Sequence, residues 1–256
     1  MRLTLLSLPL LTLVSSQAKF SANVLGWGDK EVCGAATFAY CSSSLPDTYC
    51  SEGIPDGGNV VLNMVYKPYM WGGAYGGPCE FYKGGRPASI AFWNHVSIRD
   101  SLAALRSYDK SFRDNYLVAL STHEINHGLG FTISQFSQAN IVELKDVYSE
   151  PNNKGVKEDS LWHFKTSTRV SRLAAVHFDC KSDDASWHGL PLMGKIEGGR
   201  DSHMNSFLVI EDLQSYGTGK LYTPFTMAAL EDTGHYLANY SLAEFPNWGA
   251  YRCVLQ

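Results

Sequence analysis

The sequence predicts an α+β fold in two lobes, and three observations carry that reading. Two β-rich runs, 59–66 (Asn-Val-Val-Leu-Asn-Met-Val-Tyr) and 88–92 (Ala-Ser-Ile-Ala-Phe), precede a helix whose two histidines stand four residues apart. Beyond that helix the periodicity fades into polar, glycine- and proline-containing stretches, relieved by a late apolar helix at 225–230. No internal repeat or low-complexity linker divides the chain. The expectation is one domain over 19–256. Its N-terminal lobe, 19–130, holds a twisted sheet and the histidine helix. Its C-terminal lobe, 131–256, is mostly irregular with helices.

Residues 1–18 read as a secretory signal peptide. Arg2 supplies the positive start, Leu3 to Val14 is a nearly continuous apolar run, and Ser16-Gln17-Ala18 offers small residues for cleavage. The run falls short of the ~18 apolar residues that span a bilayer, and no later stretch reaches that length. The expectation is a secreted protein with no transmembrane segment. Export makes Cys33, Cys41, Cys50, Cys79, Cys180 and Cys253 candidates for disulfides whose pairing the sequence leaves open, that of Cys253 included. A cysteine-rich zinc site is disfavoured, because no Cys-x-x-Cys pair exists. Asn239-Tyr240-Ser241 is a sequon, so Asn239 is a candidate N-glycan site. The net charge of −4 and the lack of a Lys/Arg run argue against nucleic acid as a partner. A composition of 45% hydrophobic and 18% charged residues is that of a globular protein with a core.

The segment 19–58 reads as irregular and cross-linked, and 59–66 as a strand between Gly57-Gly58 and Pro68. From Tyr66 to Pro87, six glycines among Tyr69, Trp71, Tyr75, Phe81 and Tyr82 read as a long loop with aromatic clasps. Ala88–Phe92 reads as a second strand, and His95 as a structural histidine. The helix is expected to start near Ser111 or Asp114 and to run to about Leu129, with Tyr116, Leu117 and Leu120 seating the histidines. Further on, 132–160 reads as polar and mixed with a turn at 151–153, 173–178 as a short apolar stretch, and 189–199 as a loop approaching His203. Tyr236-Leu237 is grouped with the late helix.

The chemistry centres on Ser121-Thr-His-Glu-Ile-Asn-His-Gly-Leu-Gly-Phe131. On a helix, His123 and His127 leave the same face and can grip one metal ion. Glu124 lies beside that metal, where it can take a proton from water. Gly128 and Gly130 then let the chain turn out of the helix. A catalytic zinc site wants a third protein ligand and one open position. Glu143, His163, His177, His188, His203 and His235 are the possibilities.

Several stretches in order resemble leishmanolysin-type metalloproteases, zinc enzymes of the metzincin clan with a long insertion before the third histidine. They are Gly85-Arg86-Pro87, the His-Glu-Ile-Asn-His-Gly-Leu-Gly-Phe helix, His177-Phe178-Asp179-Cys180 and Gly189-Leu190-Pro191-Leu192. Then come Gly198-Gly199 leading to Ser202-His203, the Pro224-Phe-Thr-Met-Ala-Ala-Leu-Glu-Asp-Thr-Gly234 block, and Asn239-Tyr240-Ser241. Compact metzincins would place the third histidine at position 133, where Ile133 stands. The resemblance implies a metzincin-like fold, a single Zn2+ on His123, His127 and His203, and Glu124 as general base. It also implies protein or peptide substrates, in a domain corresponding to the catalytic domain alone. By the same correspondence His177 is a structural neighbour, and His163, His188 and His235 are bystanders, with Glu143 the next choice of ligand. Two departures stand out. Met204-Asn205-Ser206-Phe207 replaces the usual Trp-Glu and arginine, and Gln214 occupies the turn-methionine position, with Met227 falling in the later helix. A secreted binding or adhesion module on the same fold is the competing reading.

Overall fold

A computed structural model describes residues 22–24, 60–66, 74–82, 84–94, 110–148, 157–180, 187–194, 202–217 and 219–253. The signal-type segment 1–18, Cys33, Cys41, Cys50, His95, the turn at 151–153 and Gly198-Gly199 lie outside them. The chain divides into two compact units, Met1–Gly130 and Phe131–Gln256.

In the first unit, β1 (Ala22–Val24) falls in the segment read as irregular. Strands β2 (Val61–Tyr66), β3 (Ala74–Phe81) and β4 (Pro87–Asn94) form a sheet in the order β2-β4-β3, with β2 parallel and β3 antiparallel to β4. The aromatic loop expected over Tyr66–Pro87 is thus corrected, since much of it is β3. Glycine is rare in strands, which is why the sequence pointed to a loop. Here the glycines serve close approach. A Cβ on Gly76 would lie 1.9 Å from the carbonyl oxygen of Glu124, so only a bare backbone lets the helix settle on this strand. The ladder also shifts register between Pro78 and Phe81, a bulge that accommodates the proline. Ser89 ties the same pair of strands by donating to the Glu80 carboxylate at 2.9 Å and accepting the Glu80 N–H at 3.1 Å.

Helix α1 (Lys110–Gly128) packs on β3 and β4. It starts ahead of Ser111 and Asp114, which lie inside it rather than capping it. Glu124 and Gly128 lie against the sheet. Tyr116 is exposed, so it gives the histidines no seat. Gly128 has helical angles; a Cβ there would meet Ile90 Cγ2 at 2.0 Å. Gly130, at φ 115°, makes the turn out of the helix.

The second unit has more regular structure than expected. Helix α2 (Ile133–Gln138) begins at Thr132, whose side chain accepts the Gln135 N–H. Strands β5 (Val142–Tyr148) and β6 (Lys157–Phe164) pair as an antiparallel hairpin. The reading of 132–160 as polar and mixed is therefore corrected. Threonine followed three residues later by glutamine was a helix-start signal, and the hairpin's charged strands hid its alternation. Helix α3 (Arg169–Phe178) starts at Thr168 and ends on Asp179 in the left-handed region, at φ 57°. Helix α4 (Pro224–Asp232) is almost wholly buried; Thr223 caps it and Pro224 opens it. Asp232, from the end of α4, accepts the Arg169 and Val170 N–H groups at the start of α3 and so docks the two helices. Tyr236 and Leu237 belong to a short strand, β7 (Tyr236–Ala238), and not to the helix.

Cys180 and Cys253 form a disulfide across 73 residues, which gives Cys253 its partner. The closing segment is clipped to α3 beside it, with the Tyr251 N–H on the His177 carbonyl and the His177 ring on the Trp248 carbonyl. Cys79 is also disulfide-bonded, to a partner outside the described residues. Closing a loop of this length contributes about 4 kcal/mol. The Cys180→Ser/Cys253→Ser double variant should therefore unfold at distinctly lower urea than the parent. An unchanged midpoint would mean that the bridge constrains nothing.

Candidate metal centre

The site grows out of α1. Residues 123 and 127 lie one helical turn apart, which sends both imidazoles to the same side. Their Nε2 atoms are 3.1 Å apart and the rings meet edge to face at 79°. Two nitrogen lone pairs that face each other at this distance repel unless a proton or a cation stands between them. Tetrahedral zinc with bonds of about 2.0–2.1 Å would hold two imidazole nitrogens about 3.3 Å apart, so the pair is already close to the spacing a metal demands. Among the described residues one group is positioned to bind a metal, and it is His123, His127 and His203, whose ligating atoms lie within 4.8 Å of one another. Three imidazoles form a donor set that fits zinc.

Glu124, the residue after His123, lies in a buried setting against β3. Burial pushes its carboxyl up to about 7, opposed by a hydrogen bond from the Gly76 backbone N–H. A folded value above the ordinary one means that ionising Glu124 costs the metal-free fold as pH rises from the normal carboxyl range through 7. A divalent cation nearby opposes that shift. Thr122 donates to the Val118 carbonyl at 2.8 Å, and Asn126 is buried beside His127.

His203 comes from an irregular segment of the second unit, held through its main chain. Its carbonyl accepts the Met193 N–H at 2.8 Å, and the next N–H, of Met204, reaches the Gln214 carbonyl at 2.9 Å. Ser202 accepts the Ile133 N–H through its hydroxyl, and the Tyr216 ring lies edge-on to the imidazole at 5.2 Å. Gln214 is fully buried, and Met227 is buried in α4.

The remaining sequence candidates sit elsewhere. Glu143 is in β5 opposite His163, 3.0 Å from the Lys145 ammonium. His163 places Nδ1 3.1 Å from the Leu161 carbonyl, and burial lowers its pKa. His177 stands against Phe178 and Phe225, His188 is exposed, and His235 meets Tyr236. Sequence reasoning missed Gly76, Tyr216 and Asp212. A glycine beside a strand-length run hinted at the first, and no local pattern marks the other two.

The chain matches the model of the family described as leishmanolysin over residues 8–255. A leishmanolysin homolog of Crithidia fasciculata is 33% identical over 138 residues, which are 53% of this chain and 19% of that protein. Leishmanolysin of Leishmania chagasi is 27% identical over 228 residues, which are 88% of this chain and 33% of that protein. The chain thus spans a third or less of the length of these relatives. With the family match running through both histidine-bearing segments, the chain belongs to the leishmanolysin family, a family of zinc metalloproteases.

Proposed function

We propose that this chain is a secreted zinc endopeptidase in which His123, His127 and His203 hold one Zn2+ and Glu124 is the general base. The clustering of the three imidazoles is the observation that carries the reading. Zinc bound there supplies Lewis-acid polarisation of the scissile carbonyl and lowers the pKa of water toward ~7. Glu124 takes the proton as the water oxygen bonds to the carbonyl carbon, then delivers it to the departing amine as the C–N bond breaks. Its buried setting, with the Gly76 N–H on the carboxylate, suits a group that must both accept and release a proton.

The substrate is an extended peptide held by backbone pairing at a sheet edge. Ala88–Phe92, read from the sequence as the second strand, is the first candidate for that edge. Those residues lie in β4, whose two sides are taken by β2 and β3. Among the described residues β2 and β3 each have a neighbour on one side only, and the histidine helix lies against β3, so β3 replaces β4 in this role. Residues 1–18 serve as the signal peptide and 19–256 as the catalytic domain. No helix among the described residues is long and apolar enough to cross a membrane. Asn239 is exposed, as a glycan acceptor must be, and its Oδ1 receives the Ser241 N–H and hydroxyl.

A general protein substrate incubated with and without a chelator tests the reading. Cleavage that stops with chelator and returns with added zinc is the expected result. A folded protein that binds zinc and cuts nothing would establish the binding or adhesion module instead, the reading that Gln214 at the turn position favours.

A further inference from the structure

Asp212 is a fully buried carboxylate with no part in the chemistry proposed above. Every group aimed at it is a donor. The Gln214 N–H and the Thr226 hydroxyl each reach Oδ1 at 2.7 Å, and the Thr223 hydroxyl reaches Oδ2. Burying a carboxylate is costly unless such donors surround it. A fold that retains one here has tied two separate pieces of chain to a single point: the 212–214 turn and the start of α4, through its cap and its first turn. The turn lies tight against its surroundings as well. A Cβ on Gly219 would come within 1.7 Å of the Asp212 carbonyl oxygen.

We propose that Asp212 is a positioning residue for His203, anchoring to α4 the turn that holds the third imidazole in place. Gln214 is the link. Its N–H is held by the Asp212 carboxylate, and its carbonyl receives the Met204 N–H, one residue beyond His203. Ser215 bridges Met204 in the same turn, and Tyr216, the next residue, sets its ring against the His203 imidazole. Helix α4 is the rigid end of this chain of contacts, buried from Pro224 to Leu230. His203 has no regular element of its own, in contrast to His123 and His127 on α1, so its aim depends on this anchor. The inference rests on His203 being a zinc ligand.

Zinc affinity, measured by competition with a chromophoric chelator, and the visible absorption of the Co2+-loaded protein test it. Four variants are compared with the full chain. Asp212→Asn replaces one acceptor oxygen with an amide donor that faces donors, and should weaken zinc by about tenfold or more, with an altered Co2+ spectrum. Thr226→Val keeps the shape, removes one donor and should weaken zinc less, in the same direction; it keeps the test open if Asp212→Asn does not fold. Phe178→Leu, a core change in α3, should lower thermal stability and leave zinc affinity and spectrum as they were. His203→Ala reports on the ligand assignment itself. If His203→Ala weakens zinc while Asp212→Asn and Thr226→Val behave as Phe178→Leu does, the anchoring role is overturned and the three-histidine site stands. If His203→Ala leaves affinity unchanged, the site reading falls and the anchor with it.

Discussion

Glu124→Gln should lower peptide hydrolysis by about 10³-fold and leave bound zinc at one equivalent. The amide matches the carboxylate in shape and still accepts the Gly76 N–H, so α1 keeps its seat on β3. What it loses is the ability to take a proton from water, and with it the ability to pass one to the leaving amine. The histidines themselves are unchanged, so their ligating nitrogens stay available to the metal. Metal analysis on the same preparation as the rate measurement separates the two outcomes. Undiminished cleavage would remove Glu124 from the mechanism. Loss of both zinc and activity would make it a ligand or a structural support instead of the base.

Gly76→Ala is the second large effect, and it acts through packing. The added methyl would sit 1.9 Å from the Glu124 carbonyl oxygen, 2.5 Å from its carbon and 2.8 Å from its Cα. All three atoms are backbone, so no side chain can swing aside. Either β3 or the turn of α1 that carries Glu124 must shift by about an ångström. Overpacking of this kind costs about 1–3 kcal/mol. A shift of that size at the base and its neighbouring ligands costs about 10²-fold in turnover. Melting temperature and kcat/KM should fall together, with zinc affinity reduced as well. A variant with the parent's melting temperature and rate would show that the helix does not lie against this strand.

The parts of the site that could be read in the sequence are those encoded within a few residues. Two histidines four apart, a glutamate between them and a glycine three beyond the second histidine define a metal-binding turn and its exit, because helical periodicity alone puts those side chains together. The β-rich run at 59–66 likewise announced a strand, and the apolar run at 225–230 a late helix. Where the local signal was weak or contrary, the reading failed. The glycines of β3 looked like a loop because what they enable, contact with α1, involves residues some fifty positions away. The hairpin of β5 and β6 was obscured because charged side chains alternate on both strands. His203 was reached through resemblance to a family and not through any pattern around it.

The sequence by itself determined the chemistry available on α1: two imidazoles for a metal, one carboxylate for a proton, and a turn that ends the helix beside them. Tertiary structure decided the rest. It enclosed β4 between β2 and β3, joined Cys180 to Cys253, and brought His203 into the group while leaving Glu143 paired to Lys145 on its hairpin. The physical reason is range. A helical turn is set by bonds four residues long, whereas close packing at Gly76 and the burial of Asp212 depend on neighbours that only the folded chain supplies.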